Sequence, residues 1–211
     1  MDGGLGQDTL SGGAGNDVLI GDISRGSSSP PSIDFNTADY RDATGPITVT
    51  LSSESSVTGD VSVGTDTLIG IDRVFGSGFD DTFTVDSTFS GNFGSFNEIE
   101  GGDGDGDTAS YSNASSGIVA DLSAGVVQDG DGGEDTLTDI ERINGSDHND
   151  AIFGSDGDDS LRGNAGDDVL VSGAGQDFLD GGSGSDTFVF TSKDGSTRDL
   201  PGERGFFGDI V

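Results

Sequence analysis

From Gly145 to Val189 the chain repeats a nine-residue unit five times, each with aspartate at position six and a large apolar residue at position eight. The pairs are Asp150/Ile152, Asp159/Leu161, Asp168/Leu170, Asp177/Leu179 and Asp186/Phe188. Glycines at positions one, two and four let the backbone take positive φ, so successive carbonyls can turn toward one point with no Cβ in the way. The last three residues of each unit read as a short strand with a single inward apolar side chain. Two units then make one coil, and loops two units apart stack on the same side. Such oxygen-lined loops suit calcium, a hard cation that takes six to eight oxygen ligands in flexible geometry. The position-six aspartate supplies the charged ligand. Aspartate and glycine also mark ordinary surface turns, but turn preference does not demand the same residue at the same phase five times running.

These units approximate G-G-x-G-x-D-x-U-x and resemble the calcium-binding repeats of the RTX family, as found in type I secreted bacterial toxins, proteases and adhesins. The resemblance implies an all-β fold, a parallel β-roll without significant helix, with calcium held between stacked loops. It implies pairing of Asp150 with Asp168, Asp159 with Asp177 and Asp168 with Asp186, about three well-formed sites in this run. Position-five residues Asn16, Asn149, Asp158 and Asp167 are expected to assist. Backbone carbonyls of Gly145, Gly154, Gly157, Gly163, Gly166, Gly173, Gly175, Gly181, Gly182 and Gly184 are expected to complete the shells.

Charge supports an external cation. Forty acidic residues against eight basic ones give a formal net charge of −32, with only 30% hydrophobic content. A chain so acidic and so poor in apolar residues sits near the disordered range, and like-charge repulsion opposes its compact state. The same balance disfavours nucleic acid and anionic membranes as partners. No apolar run is long enough for a membrane span. With no cysteine, disulfides and thiolate metal sites are excluded.

Gly3–Ser11 and Gly12–Ile20 are two further nonamers, with Asp8/Leu10 and Asp17/Leu19 in phase. The register breaks at Ser27-Ser28-Ser29-Pro30-Pro31, which reads as an exposed loop, so Asp8 and Asp17 lack an obvious downstream partner. A larger duplication of about 70 residues follows. Thr37-Ala38-Asp39-Tyr40 recurs as Thr108-Ala109-Ser110-Tyr111, Asp66-Thr67-Leu68 as Asp135-Thr136-Leu137, and Ile71-Asp72-Arg73-Val74 as Ile140-Glu141-Arg142-Ile143. Each copy carries a period-two strand pattern, Ile47 to Leu51 and Ile118 to Leu122. These copies read as degenerate roll turns with inserted strands or hairpins, which adds Asp66, Asp81, Asp107 and Asp135 to the expected ligands. The expected organisation is a short N-terminal run (1–23), a first module (24–100), a second module ending in the five nonamers (101–190) and a cap or tail (191–211).

Other chemistry finds little support. Asp103-Gly104-Asp105-Gly106-Asp107 imitates the start of an EF-hand, but Thr108 replaces the turn glycine and Ala114 the bidentate glutamate, which leaves a roll loop. His148 is the sole histidine and sits at a variable nonamer position, so no zinc site or serine triad assembles around it. A glycosidase carboxylate pair fits the phase repetition less well than ligation does. Phe89, Phe93 and Phe96 read as core or as a packing surface. The ending Phe206-Phe207-Gly208-Asp209-Ile210-Val211 looks equally like an acid-then-hydrophobic type I secretion signal or a truncated repeat.

The expected function is calcium-driven folding of a non-catalytic region of a secreted or cell-surface bacterial protein, exported unfolded by type I secretion machinery and ordered outside the cell. Two alternatives are a calcium-dependent adhesive module that meets a glycan or cell-surface ligand, and an accessory region of a secreted protease, lipase or alginate epimerase.

Overall fold

The computed structural model describes residues 1–21, 35–52, 54–86 and 98–191. Its strands are short: β1 (Thr9–Leu10), β2 (Val18–Ile20), β3 (Thr37–Asp39), β4 (Thr48–Leu51), β5 (Ser55–Thr58), β6 (Thr65–Ile69), β7 (Arg73–Phe75), β8 (Thr82–Val85), β9 (Glu98–Glu100) and β10 (Thr108–Ser110). The second half adds β11 (Val119–Asp121), β12 (Val126–Gln128), β13 (Glu134–Thr138), β14 (Arg142–Asn144), β15 (Ala151–Phe153), β16 (Ser160–Arg162), β17 (Val169–Val171), β18 (Phe178–Asp180) and β19 (Thr187–Val189). No helix occurs among the described residues.

Two sheets face each other. One runs β1-β3-β7-β9-β13-β12-β11-β15-β17-β19 and the other β18-β16-β14-β10-β8-β4-β5-β6-β2. Consecutive nonamers alternate between the sheets, so a strand pairs in parallel with the strand two units on: Ile152 lies opposite Leu170, and Leu161 opposite Leu179. This is the parallel β-roll, and it extends beyond the five nonamers. The N-terminal strands join it directly, β1 beside β3 and β2 beside β6.

Each duplicated module inserts an antiparallel hairpin strand, β5 between β4 and β6 in one sheet and β12 between β11 and β13 in the other. The period-two segments at Ile47 and Ile118 supply these hairpins. The segment 87–97, with Phe89, Phe93 and Phe96, and the tail 192–211 lie outside the described residues.

The interior is a double column to which the regular nonamer strands give one side chain each, while β4 and β8 give two, Val49 with Leu51 and Phe83 with Val85. Ile152, Leu161, Leu170, Ile143, Phe83, Val49 and Val57 are fully buried within it, and Phe188 packs partly against it. Each such side chain contributes about 1.5–3 kcal/mol on burial. A core one residue thick leaves the loops to be held by polar contacts, and these define the site.

Candidate metal-binding loops

Each loop of the roll ends at the residue just before a strand, position six of the nonamer. In the regular repeats its N–H donates to the carboxylate at the same position one coil further on. Asp150 N–H reaches Asp168 Oδ1 at 2.8 Å, Asp159 N–H reaches Asp177 Oδ1 at 3.0 Å, and Asp168 N–H reaches Asp186 Oδ1 at 3.1 Å. The three expected pairs are therefore adjacent in space.

The same ladder runs through the degenerate region. Asp17 N–H donates to Asp66 Oδ1 at 2.9 Å and Asp8 N–H to Asn36 Oδ1 at 3.2 Å. The expectation that Asp8 and Asp17 lack downstream partners is thus corrected. Their partners sit on β6 and just before β3, the strands that pair with β2 and β1. Further rungs are Asn36 to Asp72, Ile47 to Asp81, Asp81 to Asp107, Asp107 to Glu141 and Ile118 to Asp150.

Asn36, Asp72 and Glu141 were not among the expected residues. Their signal was present in the spacing: each stands two residues before an inward apolar or small side chain (Ala38, Val74, Ile143), as Asp150 stands before Ile152.

Position five forms a second ladder in the opposite sense. Asn149 Oδ1 accepts from Asp167 N–H at 2.9 Å, Asp158 Oδ1 from Gln176 N–H at 2.7 Å, Asp167 Oδ1 from Ser185 N–H at 2.8 Å, and Asn16 Oδ1 from Thr65 N–H at 3.0 Å.

Glycine is required by close approach. Gly173, Gly175, Gly182 and Gly184, with φ from +84° to +145°, lie so close to the carbonyls of Ser155, Gly157, Asn164 and Gly166 one coil away that a Cβ would collide with each. Position-one glycines lie against carboxylates instead. A Cβ on Gly145, Gly163 or Gly181 would strike Oδ2 of Asp150, Asp168 or Asp186, and on Gly154 it would sit 2.8 Å from Asp159 Oδ2. The hypothetical Cβ on Gly163 would also lie 2.8 Å from the Gly181 carbonyl, so carboxylate and carbonyl oxygens border the same small space. Gly166 backs onto His148 and Asn149.

The carboxylates differ in how they are satisfied. Oδ2 of Asp8, Asp107, Asp168 and Asp186 is buried with no hydrogen-bond partner. An ionised oxygen removed from water without a donor is costly. Burial first, and the like charges of Asp150, Asp186 and Asp167 next, push the Asp168 carboxyl up to about 6. Burial, then Asp81, Glu141 and Asp80, do the same to Asp107. Burial also lifts Asp159 to about 6, with Asp177 and Glu141 adding to it.

By contrast, Asp66 and Asp135 accept the buried hydroxyls of Tyr40 and Tyr111, each at 3.0 Å. Asp81 and Asp150 are each held by a loop serine. Among the described residues no three His, Asp or Glu groups converge on one point, so a cation here would take most of its oxygens from carbonyls. That donor set, mixed with single carboxylates, fits calcium better than magnesium or zinc.

A family model for the RTX calcium-binding nonapeptide repeat matches four copies, over residues 1–24, 140–161 and 153–188. These segments are similar to RTX calcium-binding nonapeptide repeats. The RTX repeat is a structural module that binds Ca²⁺ and occurs in secreted proteins. The matched segments contain Asp8, Asp17, Glu141 and all five position-six aspartates of the C-terminal run. The hairpin-bearing segments between them lie outside the match. No curated protein matches the chain. No helix among the described residues is long and apolar enough to cross a membrane.

Proposed function

We propose that this chain is a calcium-folded RTX region of an exported or cell-surface protein, in which the ions hold the stacked loops together. The observation that carries this reading is the set of partnerless carboxylate oxygens at position six, two of them on the almost completely buried Asp107 and Asp168. A cation supplies what those oxygens lack. Position-six aspartates of the open loops, foremost Asp8, Asp168 and Asp186, hold the ion with carbonyls of the neighbouring glycine-rich loops. When bound, the ion neutralises like charges that otherwise face one another across each coil.

Calcium dependence suits export. Where Ca²⁺ is scarce, a chain of net charge −32 with a core one residue thick stays unfolded enough to be threaded through a secretion channel. Where Ca²⁺ is abundant, binding free energy becomes folding free energy.

The test is a calcium titration of the full chain from excess EDTA, followed by far-ultraviolet circular dichroism, with magnesium as control. A cooperative gain of β signal with Ca²⁺ and none with Mg²⁺ is expected. An unchanged, fully native spectrum in EDTA would overturn the reading.

A further inference from the structure

Nine acidic loops separate into two kinds by the residue at position two. In three of them it is serine. Ser77 N–H donates to Asp81 Oδ2 at 2.5 Å and its Oγ to Oδ1 at 2.8 Å. Ser146 N–H donates to Asp150 Oδ2 and its Oγ to Oδ1, both at 2.7 Å. Ser155 N–H donates to Asp159 Oδ2 at 2.6 Å, and its Oγ lies 3.0 Å from the same oxygen.

In each case the serine Oγ also accepts the N–H of the residue two further on, Phe79, His148 or Gly157. The loop is thereby turned and its carboxylate capped by protein donors alone. None of the residues at positions two and four of these loops has positive φ.

In the other six loops position two is Gly4, Gly13, Gly102, Asn164, Gly173 or Gly182, with φ between +72° and +105°. No hydroxyl is available there, and four of these six loops end at the aspartates whose Oδ2 is buried without a partner, Asp8, Asp107, Asp168 and Asp186, while the other two end at Asp17 and Asp177.

We infer that position two selects which loops take Ca²⁺: serine closes a loop by supplying the donors itself, while glycine or asparagine in the left-handed region leaves the carboxylate for an ion, which makes Gly101–Asp107 a calcium loop outside the matched repeats.

That loop has one residue more than a nonamer loop, yet it delivers Asp107 into the ladder between Asp81 and Glu141. Asp107 is fully buried, and a Cβ on Gly104 would sit 2.7 Å from its free oxygen. The Ser77 carbonyl lies against Gly102. The Arg142 guanidinium is at the rim, 3.9 Å from Asp80 and half exposed, and leaves Asp107 Oδ2 without a donor. The selection rule also removes Asp81, Asp150 and Asp159 from the ligand set, although all three occupy the aspartate phase.

This inference rests on the calcium reading above. The discriminating measurement is the number of ions bound at saturation, by equilibrium dialysis with radioactive calcium, for the wild type, Asp107→Asn, Asp159→Asn and Ser155→Gly, with circular dichroism confirming the fold of each. Loss of an ion in Asp107→Asn, an unchanged number in Asp159→Asn and an additional ion in Ser155→Gly are expected.

A wild type that binds no calcium would refute the calcium reading itself. A wild type that binds normally, with an ion lost in Asp159→Asn or none lost in Asp107→Asn, would refute the selection rule alone. Should Ser155→Gly not fold, the two aspartate variants decide the matter.

Discussion

Tyr111 donates its phenolic hydrogen to Asp135 Oδ2 at 3.0 Å, and Tyr40 makes the same bond to Asp66 in the preceding module. Both tyrosines and both aspartates are buried. Each aspartate lies on the strand paired with a hairpin, opposite Val127 or Val57, and the tyrosine reaches it from the facing sheet. A phenol thus stands where the open loops leave a carboxylate oxygen bare. Burial and the adjacent carboxylates of Asp135 and Asp129 raise the Tyr111 hydroxyl far above its ordinary range, so it stays a donor at every working pH.

Tyr111→Phe removes the hydroxyl and keeps the ring. Asp135 Oδ2 then loses its donor in the interior, a defect that costs about 1–3 kcal/mol, more if the carboxylate stays charged. Urea denaturation at saturating calcium should show that loss, while the number of bound ions stays the same. A variant that lost an ion instead would place Asp135 among the ligands.

The pH response should change sign with calcium. Burial and like charge raise Asp107, Asp159 and Asp168 from the usual aspartate range to about 6. The folded metal-free chain therefore holds these protons more tightly than the unfolded chain does. Its stability is greatest at acid pH and falls as pH rises from about 4 to about 6. With calcium present, protons compete with the ion at Asp107 and Asp168, so the calcium midpoint should rise as pH drops below about 6. Circular dichroism of the EDTA-treated chain should accordingly show more β structure at pH 4.5 than at pH 7.5. An identical spectrum at both would contradict this.

Leu170 is fully buried between Ile152 and Phe188 in the inner column. Leu170→Ala should cost about 2–5 kcal/mol, since each C-terminal nonamer strand gives the core one side chain and no second layer fills the space. Thermal melts with calcium should register it as a large fall in Tm, and a near-neutral result would show that the ions alone hold the C-terminal coils.

The regular part of this fold was legible because its period is strict: nine residues fix both the inward apolar residue and the aspartate two before it, as in Asp168 and Leu170. The hairpins were legible from alternation at Ile47 and Ile118. The pairing of β1 with β3 and of β2 with β6 was not, because it joins segments far apart in the sequence, and a broken register conceals that Asp17 meets Asp66.

Nor does phase reveal which carboxylates are capped. Asp150 and Asp168 occupy the same nonamer position, yet the first is satisfied by Ser146 and the second has a bare oxygen. That difference comes from position two of the loop, Ser146 against Asn164, and not from the phase of the aspartate itself.

Asp168 occupies the middle of the C-terminal ladder. It accepts from Asp150 N–H at 2.8 Å and donates to Asp186 Oδ1 at 3.1 Å, whereas Asp8, just before the edge strand β1, makes one such rung, to Asn36 at 3.2 Å. In a quasi-one-dimensional stack stability comes from nearest-neighbour interfaces, so a central defect uncouples coils on both sides and a terminal defect only frays an end. Asp168→Asn keeps the shape, removes the charge and should raise the calcium midpoint and lower the Hill slope more than Asp8→Asn does. Both variants titrated under the same conditions by circular dichroism give the comparison. Equal effects would mean that total charge, rather than position in the ladder, governs the calcium response.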